Sequence, residues 1–288
     1  LALPHDYLVV ILRSILRFIP ARLRKSTPVI HVVRLDGPIV AERGLRPTLS
    51  AKGLEPVLKK AFRKGIAGVA LAINCPGGSP VQSAIIARRV RELAAAHNLP
   101  VYAFCEDVAA SGGYWLACAA DEIYADENSI VGSIGVISMG FGFPETLKKL
   151  GIERRVHTAG ENKSQNDPFQ PEKPEDVARL EGMLSEMHDS FKTLVRERRA
   201  GKLKGEEKEI FSGLFWRGEK ALALGLIDGL GHMQGVLARK FGEKVELKLI
   251  SAAQGWGLRR IGLANPSELP EAALQALETR AWWSRFGL

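Results

Sequence analysis

The chain has 288 residues, enough for one or two domains with a sizeable core, and its 46% hydrophobic content excludes a disordered polymer. Its formal charge of +8 invites an anionic partner, yet the 40 lysines and arginines are scattered and show no aromatic-basic recognition motif, which argues against nucleic acid. Cys75, Cys105 and Cys118 are odd in number, lack C-x-x-C spacing and lie in apolar stretches, so they read as buried reduced thiols of a reducing compartment; the six histidines form no metal-binding cluster.

Tyr7 to Ile19 is apolar, but Arg13 and Arg17 interrupt it and Pro4 and Pro20 bracket it, leaving a run too short to span a bilayer unaided. It does not end in a small-residue cleavage site. With Arg22, Arg24 and Lys25 following, residues 1–27 read as an amphipathic helix, suited equally to a membrane interface and to packing on its own protein or a sister subunit. The chain begins at Leu1 rather than Met, which leaves room for an anchor upstream. The expected location is the cytoplasm or the cytoplasmic face of a membrane, with no signal peptide or transmembrane span in this chain.

Residues 28–250 read as one compact domain. Val29 to Leu35 is a strand, Leu54, Val57, Leu58, Ala61 and Phe62 recur at helical spacing before Gly65, and Val69 to Ile73 is a second strand. Val81 to Ala96 is a helix with Ile85, Ile86, Val90 and Leu93 on one side. Pro100 to Cys105 is a third strand, and Tyr114 to Ala120 a small-residue helix with Ser111 at its first turn. Glu122 to Ala125, Gly135 to Ser138 and Glu153 to Thr158 are expected as further strands. A long helix from Pro174 to Arg199 carries Val177, Leu180, Leu184, Met187, Phe191 and Leu194 as a stripe fit for a core or a subunit interface. A helix from Gly218 to Leu224, a turn from Asp228 to Gly231, a helix from Met233 to Phe241 and a strand from Val245 to Ile250 complete the domain. Residues 251–288 form a helical extension ending in the exposed aromatics Trp282, Trp283 and Phe286. Strands alternating with helices imply an α/β fold of right-handed βαβ units with a largely parallel sheet.

Three segments carry chemistry. Ser111, in Val108-Ala109-Ala110-Ser111-Gly112-Gly113-Tyr114, is a serine among small residues at a strand-to-helix turn, where exposed N–H groups and the helix dipole favour a developing oxyanion. Standing alone, the run reads as a helix N-cap serine. Asn74-Cys75-Pro76-Gly77-Gly78-Ser79-Pro80 leaves the second strand at the end where open α/β sheets place ligands. There the Gly78 N–H is set to join the Gly112 N–H on one oxyanion. The phosphate-loop spacing is absent. A base is then required, and no histidine lies between His97 and His157, whereas Ala159-Gly160-Glu161-Asn162-Lys163-Ser164 offers a lysine. A lysine acts as a base only when neutral, which burial and neighbouring positive charge favour; on its own such a lysine is a solvated surface residue.

Taken together with Val131-Gly132-Ser133-Ile134-Gly135, Trp216-Arg217-Gly218-Glu219-Lys220-Ala221 and Gly225-Leu226-Ile227-Asp228, these segments resemble the successive motifs of the signal peptide peptidase A family, the S49 serine peptidases, over roughly Val29 to Phe241. The resemblance implies a Clp protease/crotonase-like βαβ superhelix, Ser111 as nucleophile, Lys163 as general base, Ser133 as the serine that hydrogen-bonds the lysine, and the Gly78 and Gly112 N–H groups as the oxyanion hole. It implies hydrophobic or signal-peptide-like peptide substrates, no metal or organic cofactor, peripheral membrane contact, and a homo-oligomer whose serine and lysine come from neighbouring subunits. The sequence departs from the pattern at Cys75, where many relatives have serine, in the absence of a clear spanning anchor, and in the tail after Ser251. Cys75 near the cleft also raises a reactive thiol as an alternative. Two other readings compete: a crotonase-like acyl-CoA enzyme, using the same two backbone donors on a thioester, and a non-catalytic membrane-surface scaffold.

Overall fold

The computed structural model describes residues 27–41, 49–251, 277 and 279–288. Two apolar, β-branched runs, β1 (Val29–Asp36) and β2 (Gly68–Cys75), pair in parallel from Ile30 opposite Gly68 to Asp36 opposite Asn74. Seven of the eight β2 residues are buried, as expected of a strand covered on both faces. The crossover between them contains α1 (Ala51–Ala61), which starts where the Ser50 hydroxyl accepts the Gly53 N–H at 3.1 Å. From β2 the chain enters α2 (Pro80–His97), begun by Ser79 as N-cap with Pro80 as first helical residue and ended by Asn98 in a left-handed conformation.

β3 (Val101–Ala110) is long enough to pair twice on one side. Its first half lies against β4 (Glu122–Ala125) and its last three residues against β5 (Ile130–Gly132), with α3 (Gly112–Ala117) between β3 and β4 in the chain. After β5 come α4 (Pro144–Lys149), α5 (Pro174–Arg198), α6 (Glu207–Ile210), β6 (Phe215–Arg217), α7 (Gly218–Ala223), β7 (Gly229–Leu230), α8 (Met233–Phe241) and β8 (Glu246–Leu249). The sheet runs β6-β5-β3-β2-β1-β8, with β4 and β7 beside it, and every pairing is parallel except β5 with β6.

Alternation along the strands divides the core between the two faces. Val33, Leu35, Leu71 and Ile73 join α1, α2, α3 and the C-terminal half of α5 in the larger cluster, while Ile30, Val32, Ala70, Tyr102 and Phe104 pack against Val236 and Leu237 of α8. Each fully buried Leu or Ile of this kind contributes about 1.5–3 kcal/mol. At the amino end of β4, Arg199 is buried against Asp228 with Nη1 2.6 Å from Oδ2; Lys202 Nζ lies 2.7 Å from Oδ1, and the Ile123 N–H donates to the same carboxylate at 2.8 Å. This ion cluster ties α5, β4 and β7 together.

Several expectations need correction. Gly135 to Ser138 is not a strand: Gly132 and Ser133 take φ of 114° and 53°, which turns the chain off the sheet after β5. Glu153 to Thr158 has no strand partner and lies exposed within a long arm, residues 137–173, in which α4 buries nothing. The α5 stripe is buried only at its end, at Phe191 and Val195, whereas Met187 is exposed and Val177, Leu180 and Leu184 are half-buried. Ile85 faces outward, away from Ile86, Val90 and Leu93. Trp282, Trp283 and Phe286 are half-buried rather than exposed, on a helical segment at 279–284, and Phe286 packs edge-on to Phe215 with ring centroids 5.2 Å apart. The expected helix at residues 7–19 and the first part of the tail lie outside the described residues. Among the described residues no helix is long and apolar enough to cross a membrane.

Candidate active site

The register between β2 and β3 slips at their carboxyl ends: Ile73 faces Cys105, yet Cys75 faces Ala109. Asn74 spans the slip, its Oδ1 accepting the Val108 N–H at 3.2 Å and its Nδ2 donating to Asp107 at 3.2 Å. The bulge brings the Pro76-Gly77-Gly78 turn beside the end of β3.

Ser111 follows β3 directly and is the N-cap of α3, with φ 53° and ψ −119° and no capping hydrogen bond from its side chain. A non-glycine residue in this region stores about 1–3 kcal/mol of strain and persists only where the surroundings hold it. Here its N–H donates to the Gly132 carbonyl at 2.8 Å, and its carbonyl accepts the Trp115 N–H at 2.9 Å. The hydroxyl is left half-exposed and without a hydrogen-bond partner among the described residues. The structure therefore contradicts the simple N-cap reading.

Gly78, at φ 139°, sits against Ile39 so closely that a Cβ there would lie 2.0 Å from the Ile39 carbonyl oxygen. Ile39 donates to Gly77 at 2.7 Å and accepts from Ser79 at 2.8 Å, so the bridge uses the groups on either side of Gly78 and leaves its own N–H unengaged. The Gly112 N–H, first in α3, likewise donates to no acceptor among the described residues. Both glycines border one cleft of about 400 Å³ together with Ser111 and Ser133. Ser133 is buried at φ 53°, fixed by its N–H to the Leu214 carbonyl at 2.7 Å. Two unpartnered backbone donors beside a serine hydroxyl form the arrangement that receives the oxyanion of acyl transfer.

Lys163 is not brought into this cleft within the single chain. It lies exposed in a turn of the arm, with its N–H on the Gly160 carbonyl at 3.3 Å, while neighbouring Asn162 accepts from Arg179 of α5 at 3.1 Å. Cys75 is fully buried, and burial pushes its thiol up to about 12, which removes the reactive-thiol alternative. Among the described residues no group of three or more His, Cys, Asp or Glu side chains is placed to hold a metal.

The cleft is also lined by residues that the sequence did not assign to the site. The rings of Trp115 and Phe191 pack at a tilt with centroids 4.7 Å apart, and Met187 and His188 of α5 border the cleft with Trp282 and Arg285. His188 Nε2 lies 3.0 Å from the Ile134 carbonyl, so that nitrogen carries the proton and donates, tying α5 to the segment after Ser133. Met187 and Phe191 were visible as part of the α5 stripe, but their spacing alone does not separate a cleft wall from a core.

Comparison with known proteins gives the following. The profile of peptidase family S49 matches residues 94–247, more than half of the chain. Protease 4 of Haemophilus influenzae is 32% identical over 208 residues, covering 70% of this chain and 32% of that protein. A Brucella melitensis protein named Na(+)/H(+) antiporter NhaA is 52% identical over 285 residues, covering 94% of this chain but 39% of that protein, so its printed name describes a much longer molecule. The chain thus spans about two-fifths of the length of the first curated relatives it matches. In structure, a variant of a membrane-bound stomatin-specific protease, solved with a substrate peptide, superposes with a TM-score of 0.50 at 14% identity, covering 80% of this chain and 94% of that one, a likeness of fold. The α/β architecture with its mostly parallel sheet agrees with the Clp protease/crotonase-like expectation, and the chain belongs to peptidase family S49.

Proposed function

We propose that the chain is a serine endopeptidase of the signal peptide peptidase A type, cleaving extended hydrophobic peptides through an acyl-enzyme. The reading is carried by one observation: the unpartnered Gly78 and Gly112 N–H groups border the same cleft as the free Ser111 hydroxyl. Neutral Lys163 takes the Ser111 proton as Oγ attacks the peptide carbonyl, and the two N–H groups hold the oxyanion. The tetrahedral intermediate collapses with loss of the amine, which receives the proton from Lys163. Water, deprotonated by the same lysine, then attacks the ester, and Ser111 Oγ leaves with a proton. Ser133 would steady the lysine amine.

This chemistry needs Lys163 from a neighbouring subunit. The arm that carries it supports such an assembly: Met139, Phe141, Leu150 and Ile152 are 71%, 82%, 67% and 53% exposed, an apolar surface unusual for a face left in water. Residues 1–27 are the part suited to peripheral membrane contact.

A fluorophosphonate probe tests the nucleophile. Labelling is expected on Ser111, absent from Ser111→Ala, and accompanied by hydrolysis of casein or signal-like peptides. A crotonase-like thioester enzyme has no nucleophilic serine, and an unlabelled protein would favour it.

A further inference from the structure

The cleft lined by Ser111 also carries one permanent charge without a carboxylate partner among the described residues. Arg285 borders the cleft, and its guanidinium lies over the rings of both Trp282 and Phe286, 6.0 Å from each centroid. Among the described residues it has no carboxylate partner, and no Asp or Glu borders the cleft at all. The segment meets the sheet where Phe286 packs edge-on to Phe215 of the edge strand β6, and within it the Phe286 N–H donates to the Trp283 carbonyl at 2.9 Å. Trp282, on the same helical turn, offers an apolar face to the same space. The cleft thus combines aromatic and aliphatic side chains, among them Trp115, Met187, Phe191 and Trp282, with serine hydroxyls, His188 and the fork of guanidinium donors of Arg285.

We propose that Arg285 is a specificity-determining residue that selects peptides presenting a carboxylate near the scissile bond, with Trp282 stacking on the apolar part of the same ligand. A guanidinium gives a carboxylate two parallel charge-assisted hydrogen bonds, and no competing acidic side chain in the cleft neutralises it first. The carboxylate has two sources, a Glu or Asp side chain or the free α-carboxylate of a short peptide. The inference rests on the peptidase reading and assigns the C-terminal segment to the substrate site of that same cleft.

The test uses the full chain and one host peptide that wild type cleaves. Glu is compared with Gln at each position around the cut, and a free carboxyl terminus with a terminal amide. The expected result is an advantage in kcat/KM of about fivefold for at least one carboxylate peptide, weakened by salt, approaching unity in Arg285→Gln and inverted in favour of a Lys-bearing peptide in Arg285→Glu. An advantage confined to Glu side chains identifies internal acidic residues; one confined to the free terminus identifies short peptides as the ligand. Loss of all preference in wild type, or a preference that survives in Arg285→Gln, overturns the assignment. So does a rise in kcat for every peptide alike on removal of residues 277–288, which would make the segment a lid. Binding of the same peptides to Ser111→Ala separates the two readings: carboxylate-selective binding by that variant, with no cleavage by wild type, sinks the peptidase and leaves the recognition.

Discussion

The Ser111 N–H donates to the Gly132 carbonyl at 2.8 Å, so two left-handed turns, one at the proposed nucleophile and one at Ser133, are fastened across the β3–β5 pairing. Neither turn is cheap for an L-residue, and the last rung of a parallel ladder holds both. Replacing Ser111 separates chemistry from strain. Ser111→Ala is expected to lose hydrolysis with little change in unfolding midpoint, and Ser111→Gly to be the more stable of the two by about 1 kcal/mol, because glycine accepts φ 53° without the Cβ penalty. Denaturant unfolding of both variants measures the difference; an alanine variant as stable as the glycine one contradicts a strained turn.

Gly77 stands where a Cβ would come 2.8 Å from the Ser111 Cβ and 3.1 Å from the Gly112 nitrogen, at φ 110°. Gly77→Ala should therefore displace the hydroxyl and one oxyanion donor together and lower kcat by about 100-fold or more, the loss typical of one missing donor. Gly65→Ala is the control, since φ there is 85° but nothing lies within 4 Å. It should cost stability of about 1 kcal/mol and leave kcat unchanged. Equal kinetics in the two variants would remove Gly77 from the site.

Much of this region was legible in the residues. The second strand, the P-G-G turn after it and the helix expected from Val81, which starts one residue earlier at Pro80, follow from periodicity and turn chemistry. β3 runs on to Ala110 rather than ending at the expected Cys105, because Asn74 absorbs the irregularity through hydrogen bonds that no local pattern encodes. The expected strands at Gly135 to Ser138 and Glu153 to Thr158 have the composition of strands but no partner among the described residues, and pairing, not composition, makes a strand. His188 and Arg285 come to the cleft from far along the chain with nothing in their neighbourhoods to mark them, and Trp282 was legible only as one of the aromatics of the tail.

Acid should release the ion cluster at Asp228. Burial raises its carboxyl pKa, but hydrogen bonds from Arg199, Lys202 and the Ile123 N–H outweigh burial and hold it below the ordinary 3.8. In that window the unfolded chain binds the proton first, so the stability contribution is full above the ordinary value and is lost as pH falls through the lowered one. Asp228→Ala should cost about 3 kcal/mol at neutral pH by leaving the buried Arg199 uncompensated, with the gap to wild type narrowing below that ordinary value. A gap that widens on acidification reverses the sign and rejects the assignment.

The three thiols should be silent in the native protein. Burial pushes Cys75, Cys105 and Cys118 up to about 12, so iodoacetamide at mildly alkaline pH should label none of them until the protein is unfolded, and peptide hydrolysis should survive the treatment. Rapid alkylation of Cys75 with loss of activity would restore the thiol as a candidate nucleophile.

The proposed dyad joins a serine in one subunit's cleft to a lysine on another's exposed arm, and mixing two inactive proteins tests it most directly. Ser111→Ala supplies Lys163 and clefts lacking the hydroxyl, while Lys163→Ala supplies the intact hydroxyl without its base. Co-assembled from the unfolded or dissociated chains, the pair should recover part of the wild-type peptide hydrolysis that neither shows alone. Mixed assemblies that stay inactive, or a Lys163→Ala protein that is fully active by itself, would contradict a base delivered in trans.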